Sequence, residues 1–143
     1  MTEKIDVSNS DASDWTARGF DAELGLQYAE VTPDAVRAEF TVTDKLLQPF
    51  GIVHGGVYCA VIESVASISG QVWLVANVTP DGHVVGVNNS TDFLRAVQTG
   101  HMTAQSKPIH RGRRQQLWEV DISDENGKLI AQGRVRLQNI TES

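Results

Sequence analysis

The sequence predicts an α+β fold in which one antiparallel sheet of about six strands wraps round a single long central helix. Three observations predict it. From Val57 to Val78 apolar residues follow one another so closely that no polar face remains, the mark of a helix buried on all sides. The segments around it alternate apolar and polar residues with period two, two of them before the helix and four after it. No internal repeat or linker divides the 143 residues, a length at which one core buries about two thirds of the unfolded surface.

Taken in order, residues 1–13 read as a disordered tail, poor in apolar side chains and rich in Ser, Asp and Asn, ahead of a single domain over 14–143. Asp14 to Phe20 is expected to form a short helix with Asp14 as its cap. Leu24, Leu26 and Tyr28 alternate as a first strand, and Val36, Ala38, Phe40 and Val42 as a second. Thr32-Pro33-Asp34 supplies the turn of a hairpin between them. A loop with Pro49 and Gly51 leads into the helix, and Thr79-Pro80-Asp81-Gly82 turns the chain after it. Strands are then expected at about 83–95, 99–109, 114–123 and 128–138. In the last hairpin Trp118, Val120 and Ile122 share a face, Asp124 to Gly127 turns, and Leu129, Ala131, Val135 and Leu137 return. One sheet of this size leaves a side of the helix uncovered. The simplest cover is the helix of a second copy, so at least a homodimer is expected.

Composition excludes several classes. Hydrophobic content of 41% and charged content of 21% describe an ordinary globular chain. The first residues are polar and acidic, without the basic start and apolar run of a secretory signal. Glu63, Ser64, Ser67, Ser69, Gly70, Gln71 and Asn77 interrupt the long helix and no basic flank follows, so it reads as a core helix and no membrane is expected. The one cysteine, Cys59, forms no internal disulfide and suits a reducing, cytoplasmic compartment. His54, His83, His101 and His110 lack metal-ligand spacing, and no metal is expected. The net charge of −6 is uneven: ten acidic and three basic residues lie in 1–44, against eight basic and five acidic in 95–143. Lys107, Arg111, Arg113 and Arg114 cluster around His110. They read either as a solvated strand end or as a seat for a small polyanion such as a nucleotide phosphate. The overall charge and the lack of an aromatic-basic motif argue against nucleic acid.

The chemistry centres on Glu63, which has no Lys or Arg within ten residues on either side. An unpaired carboxylate in an apolar helix is costly. It is either capped by backbone or solvent at an interface or a catalytic acid or base. His54-Gly55-Gly56 opens the helix, where free N–H groups and the dipole can hold an oxyanion, unless the triplet is merely a tight turn. Gly55 and Glu63 are eight residues apart, about 12 Å along one helix, too far to serve one carbonyl. Two antiparallel helices across a twofold axis could bring Gly55 of one subunit to Glu63 of the other. Ser67, at i+4, shares the Glu63 face and either reaches the carboxylate or bonds a helix carbonyl. Cys59, at i−4, lacks a cation or base and reads as core. His54 precedes the helix and reads as ordering the loop rather than as a base.

With these residues in place, the chain over about 20–138 resembles the hotdog-fold acyl-CoA thioesterases, in particular the phenylacetate-degradation and glutamate-dependent 4-hydroxybenzoyl-CoA types. The resemblance rests on Gln48-Pro49-Phe50-Gly51-Ile52-Val53-His54-Gly55-Gly56 followed by Glu63, on Asn88 to Arg95, and on His110-Arg111-Gly112-Arg113 ahead of Trp118. It implies a hotdog fold and hydrolysis of a CoA thioester, with aromatic acyl groups the first expectation. Glu63 would be nucleophile or general base, and Gly55 the oxyanion amide. Gln48, from the opposite subunit, would polarise the thioester, and Ser67 would stand where the group has a water-orienting Thr. Coenzyme A phosphates would lie on Arg111, Arg113 and Arg114, with His54, Gly56 and Asn89 completing the substrate-binding set. No cofactor is implied, coenzyme A being part of the substrate, and the assembly would be a dimer of dimers. Tyr58, Trp73 and Phe50 are candidate pocket aromatics, or core. A non-catalytic acyl-CoA sensor on the same fold is the alternative, although the chain has no room for an added DNA-binding segment. A hydratase is disfavoured by the lack of a His-Asp motif.

Overall fold

The computed structural model describes residues 15 and 17–141. The expected tail at 1–13 and the Asp14 cap lie outside the described residues. The described chain runs α1 (Phe20–Leu24), β1 (Gln27–Val31), β2 (Val36–Thr41), a 3-10 turn at Asp44–Leu46, α2 (Gly55–Asn77), β3 (His83–Phe93), β4 (His101–Arg111), β5 (Gln115–Ser123) and β6 (Leu129–Ile140). The strands form one antiparallel sheet in the order β1-β2-β4-β5-β6-β3, and it wraps round α2 as the sequence predicts.

Two expectations are corrected at the start. The short helix spans Phe20–Leu24 instead of ending at Phe20, and Leu24 and Leu26 precede β1 rather than opening it. Gly25 is the reason. At φ 74° it accepts the left-handed cap that a side chain would strain, and it ends α1 in a Schellman turn, with Gly25 N–H bonded to Ala22 O and Leu26 N–H to Asp21 O. Leu24 and Leu26 are buried all the same, so their spacing mimics strand alternation without being one.

The core is the inner face of the sheet against α2. Val36, Ala38 and Phe40 of β2, Met102 and Ala104 of β4, Trp118, Val120 and Ile122 of β5, and Val135 and Leu137 of β6 close on Val61, Ile62, Val65 and Ala66 of the helix. Truncating a buried ring such as Phe40 to alanine costs about 3–5 kcal/mol by transfer and cavity formation. α2 is long and apolar enough to cross a membrane, but here it lies in the sheet. It is not covered all round: Cys59, Ala60, Glu63, Ser64, Ser67 and Ile68 stay half-buried.

Two regions bind the helix to its surroundings through polar groups. Buried Gln116 donates to Gly70 O and Asn139 Oδ1 and accepts from Trp118 Nε1. Near the C-terminal end of α2, the Gln71 amide donates to Gly82 O and accepts from Val84 N–H, both at 3.0 Å, fastening the start of β3.

β3 is an edge strand with a bulge. Gly86 pairs with Leu137 and Asn88 with Arg136, so Val87 is an extra residue against β6. A bulge turns the following side chains to the other face. Val84 and Gly86 face the helix before it, and Asn89 and Thr91 face the helix after it.

Candidate active site

Glu63 projects from the middle of α2 onto β3. Its Oε1 accepts from Asn89 Nδ2 at 3.1 Å. Its Oε2 rests against the Cα of Gly86, where any side chain would collide with it. The same Asn89 amide donates to Cys59 O at 3.1 Å, and Thr91 Oγ1 donates to Asn89 Oδ1 at 2.7 Å. The carboxylate is thus held by a neutral amide and a glycine, with no ion pair to it among the described residues. Ser67 lies one helical turn beyond it, half-buried on the same side.

The start of α2 is built separately. His54 is the N-cap, and its Nδ1 accepts from Gly56 N–H at 2.8 Å. That bond occupies the Gly56 donor and leaves Gly55 N–H, at the first helical position, with no acceptor among the described residues. Gln48 folds its side chain back so that Oε1 accepts from Phe50 N–H. Gln48 and Gly55 share a cavity of about 360 Å³ with Ile52, Val53, Tyr58, Phe93, Leu94, Arg95 and Ala96. The Tyr58 and Phe93 rings lie 6.1 Å apart, centroid to centroid. Burial pushes the Tyr58 hydroxyl up to about 12, and this buried oxygen has no partner among the described residues.

One chain therefore brings Gln48 to Gly55, and Asn89 to Glu63, but does not bring the two pairs together: Glu63 does not line the Gly55 cavity. That is the separation the helix spacing requires. Of the proposed pocket aromatics Tyr58 lines the cavity. Phe50 is 88% exposed at the loop tip. Trp73, eighteen residues along the helix from Gly55, stacks under Arg111.

The basic cluster divides in two. Arg111 is held by the fold: its guanidinium donates to Asp34 Oδ1 at 2.7 Å and Pro33 O at 3.3 Å, and lies 5.8 Å from the centroids of both Trp73 and Trp118. Arg113 and Arg114 are exposed and border a second depression, about 460 Å³, with His110, Gly112, Gln115 and Gln138. Asn139 pins that turn, its side chain donating to Gly112 O and Arg113 O and its backbone N–H donating to Arg114 O. Among the described residues no three His, Cys, Asp or Glu side chains gather as a metal site.

Sequence reasoning passed over Gly86 and Val87 and gave Thr91, inside the Asn88–Arg95 motif, no role of its own. The available signal was the glycine itself, since Gly inside an alternating strand marks a bulge or a close approach.

The sequence profile of the Thioesterase superfamily matches residues 50–131, which take in Gly55, Glu63 and Asn89. The chain belongs to this superfamily. Its fold is the hotdog fold, and it is a thioester hydrolase. Its relatives include Rv1847 of Mycobacterium tuberculosis H37Rv, provisionally named an esterase, which is 54% identical over 85% of this chain and 86% of its own length. A 1,4-dihydroxy-2-naphthoyl-CoA hydrolase of Listeria monocytogenes is 34% identical over 81% of this chain and 91% of its own. The solved structure of a Haemophilus influenzae thioesterase superposes with a TM-score of 0.86 at 28% identity, covering 96% of each chain.

Proposed function

We propose that this thioesterase hydrolyses coenzyme A thioesters of aromatic acids, with Glu63 delivering the attack. The observation that carries the reading is the Glu63 carboxylate, held by Asn89 and Gly86 with no cation paired to it among the described residues. A carboxylate not tied up in an ion pair is available as a nucleophile or as a base. Glu63 acts as nucleophile or as the base for water. The carbonyl oxygen takes up the developing charge at the Gly55 N–H, where a free donor and the helix dipole favour it. The C–S bond then breaks and the thiolate of coenzyme A takes a proton, which leaves the free acid where Glu63 activated a water, or an acyl anhydride on Glu63 that water then hydrolyses where Glu63 itself attacked.

An aromatic acyl group is supported by the Tyr58 and Phe93 rings beside Gly55, and by the Listeria relative, whose name specifies a naphthoyl thioester. Arg113 and Arg114 are the cations placed to meet coenzyme A phosphates, whereas Arg111 is already paired. The resemblance to the phenylacetate-degradation and glutamate-dependent types supports cytoplasmic action without a metal or redox cofactor.

The reaction needs two copies of the chain. Glu63 and Gly55 of one helix are too far apart, so each site combines Gly55 and Gln48 of one subunit with Glu63 and Ser67 of the other. The half-covered side of α2 and the unpaired edge of β3, with Val85 and Val87 exposed, support a second copy there. A long apolar edge is otherwise a site for uncontrolled pairing. Dimers of this kind would pair again into a tetramer.

Thiol release from a panel including benzoyl-CoA and 1,4-dihydroxy-2-naphthoyl-CoA tests the proposal. Glu63→Ala should abolish most turnover while leaving fold and assembly intact. Undiminished release by that variant would overturn it, and binding without release by the wild-type chain would point instead to a sensor.

A further inference from the structure

Asn89 faces α2 with every hydrogen of its amide engaged. One N–H points to Glu63 Oε1 and the amide also reaches Cys59 O, both at 3.1 Å. These are two acceptors, so the amide cannot be reversed: its oxygen would then confront a carboxylate and a carbonyl. That oxygen instead accepts from Thr91 Oγ1 at 2.7 Å. Thr91 in turn occupies space that only a glycine leaves open. A methyl group at Gly133 of β6 would come within 2.5 Å of Thr91 Oγ1 and 3.1 Å of Ile62 Cγ2. The result is a directed chain, Thr91 to Asn89 to Glu63, leading from the β3–β6 ladder to the carboxylate.

We infer that Asn89 is a positioning residue, which aims the Glu63 carboxylate, and that Thr91 fixes the amide that does so. The inference rests on the reading of Glu63 as the attacking group. With both donors spent on the protein, Asn89 has none left for a substrate, so it is not a substrate contact. Among the described residues no other ionisable group binds the carboxylate. Asp21 of α1 is taken up by Ser64 and Tyr28, and Asp92 of β3 and Arg134 and Arg136 of β6 are exposed. Cys59, one turn earlier on α2, is the nearest titratable neighbour in sequence on that face.

The bulge at Val87 is what makes this arrangement possible. Were the strand to alternate unbroken through Val87, Asn88, now exposed, would face the helix in place of Asn89, and Thr91 would point away from it.

The test is steady-state thiol release from benzoyl-CoA by Asn89→Ala, the isosteric Asn89→Asp, Thr91→Val and Thr91→Ser, with Glu63→Ala as reference. Loss of a hydrogen bond to a charged group predicts a fall in kcat of about ten- to a hundredfold for Asn89→Ala, with KM held within about twofold. Asn89→Asp should fall further, since it sets a second carboxylate against the first. Thr91→Val should show a smaller loss that Thr91→Ser restores. A raised KM with kcat unchanged in Asn89→Ala would make Asn89 a substrate contact and overturn the inference. So would wild-type rates in all four variants while Glu63→Ala is inactive. Should Glu63→Ala itself keep full turnover, the reading of Glu63 falls and the inference with it.

Discussion

The Cα of Gly86 lies directly under the carboxylate of Glu63, so closely that a single methyl group there would overlap Oε2. Gly86→Ala adds that methyl group to an exposed position on an edge strand. We expect turnover to fall about a hundredfold, as a displacement near 1 Å does at a reacting group, while the thermal midpoint changes little. Thiol release and a melting curve on the same preparation check both halves.

Gly55 occupies the first turn of α2, where proline is tolerated because the N–H it removes has no intrahelical partner. His54 before it has φ −63° and ψ 132°, the backbone that a following proline favours. Gly55→Pro should therefore fold and lower kcat by about 10²–10³, the usual cost of an oxyanion donor. The new ring must push aside Phe93, which is exposed and has room to move. Mixed with Glu63→Ala under verified subunit exchange, Gly55→Pro should regain activity, because some hybrid sites are intact. No regain would refute the shared site.

The arginines should separate by phenotype. Arg113→Ala and Arg114→Ala are expected to raise KM for coenzyme A thioesters about three- to tenfold with kcat kept, and less for a thioester lacking the nucleotide. Arg111→Ala should act on the fold, because it removes the Asp34 contact and the cover over Trp73 and Trp118. Its loss is expected at about 1–2 kcal/mol in urea unfolding.

Alkaline pH should weaken the fold through two tyrosines. Burial raises both Tyr58, to about 12, and Tyr28, which the Asp21 carboxylate raises further. In the unfolded chain both titrate near the model-peptide value of about 10. Their contribution is fully present below pH 10 and is lost as pH rises from there towards the folded values, because the unfolded chain ionises first. The slope is about 1.4 kcal/mol per pH unit for each tyrosine. Urea midpoints at pH 9, 10 and 11 should show it, and Tyr28→Phe should remove Tyr28's share.

Much of this was legible in the residues, and what was not has a physical cause. The apolar run of α2 and the period-two strands fixed the architecture because burial sets both patterns. Glu63 stood out because the lack of any nearby cation is visible in the sequence. Leu24 and Leu26 misled because a two-residue spacing across Gly25 suits a helix stop as well as a strand. The neighbours of Glu63 were beyond a linear reading. Asn88 and Asn89 are the same residue type side by side, and only the bulge at Val87 decides which one meets the helix. Arg111, Arg113 and Arg114 look alike in sequence, yet Asp34, 77 residues away, claims the first.

The residues that support Glu63 all stand on β3, one of the two edge strands, which has a single ladder partner. Free edges are where exchange with solvent begins, so the support of Glu63 stands on a part of the sheet ready to fray. Two side-chain amides oppose that: Gln71 stitches the start of the strand to α2 and Asn89 stitches its middle. Amide-exchange protection along 83–93 is thus a direct gauge of how well the carboxylate is aimed. It should tighten when a second copy covers the edge and loosen on dilution, so specific activity itself would report assembly.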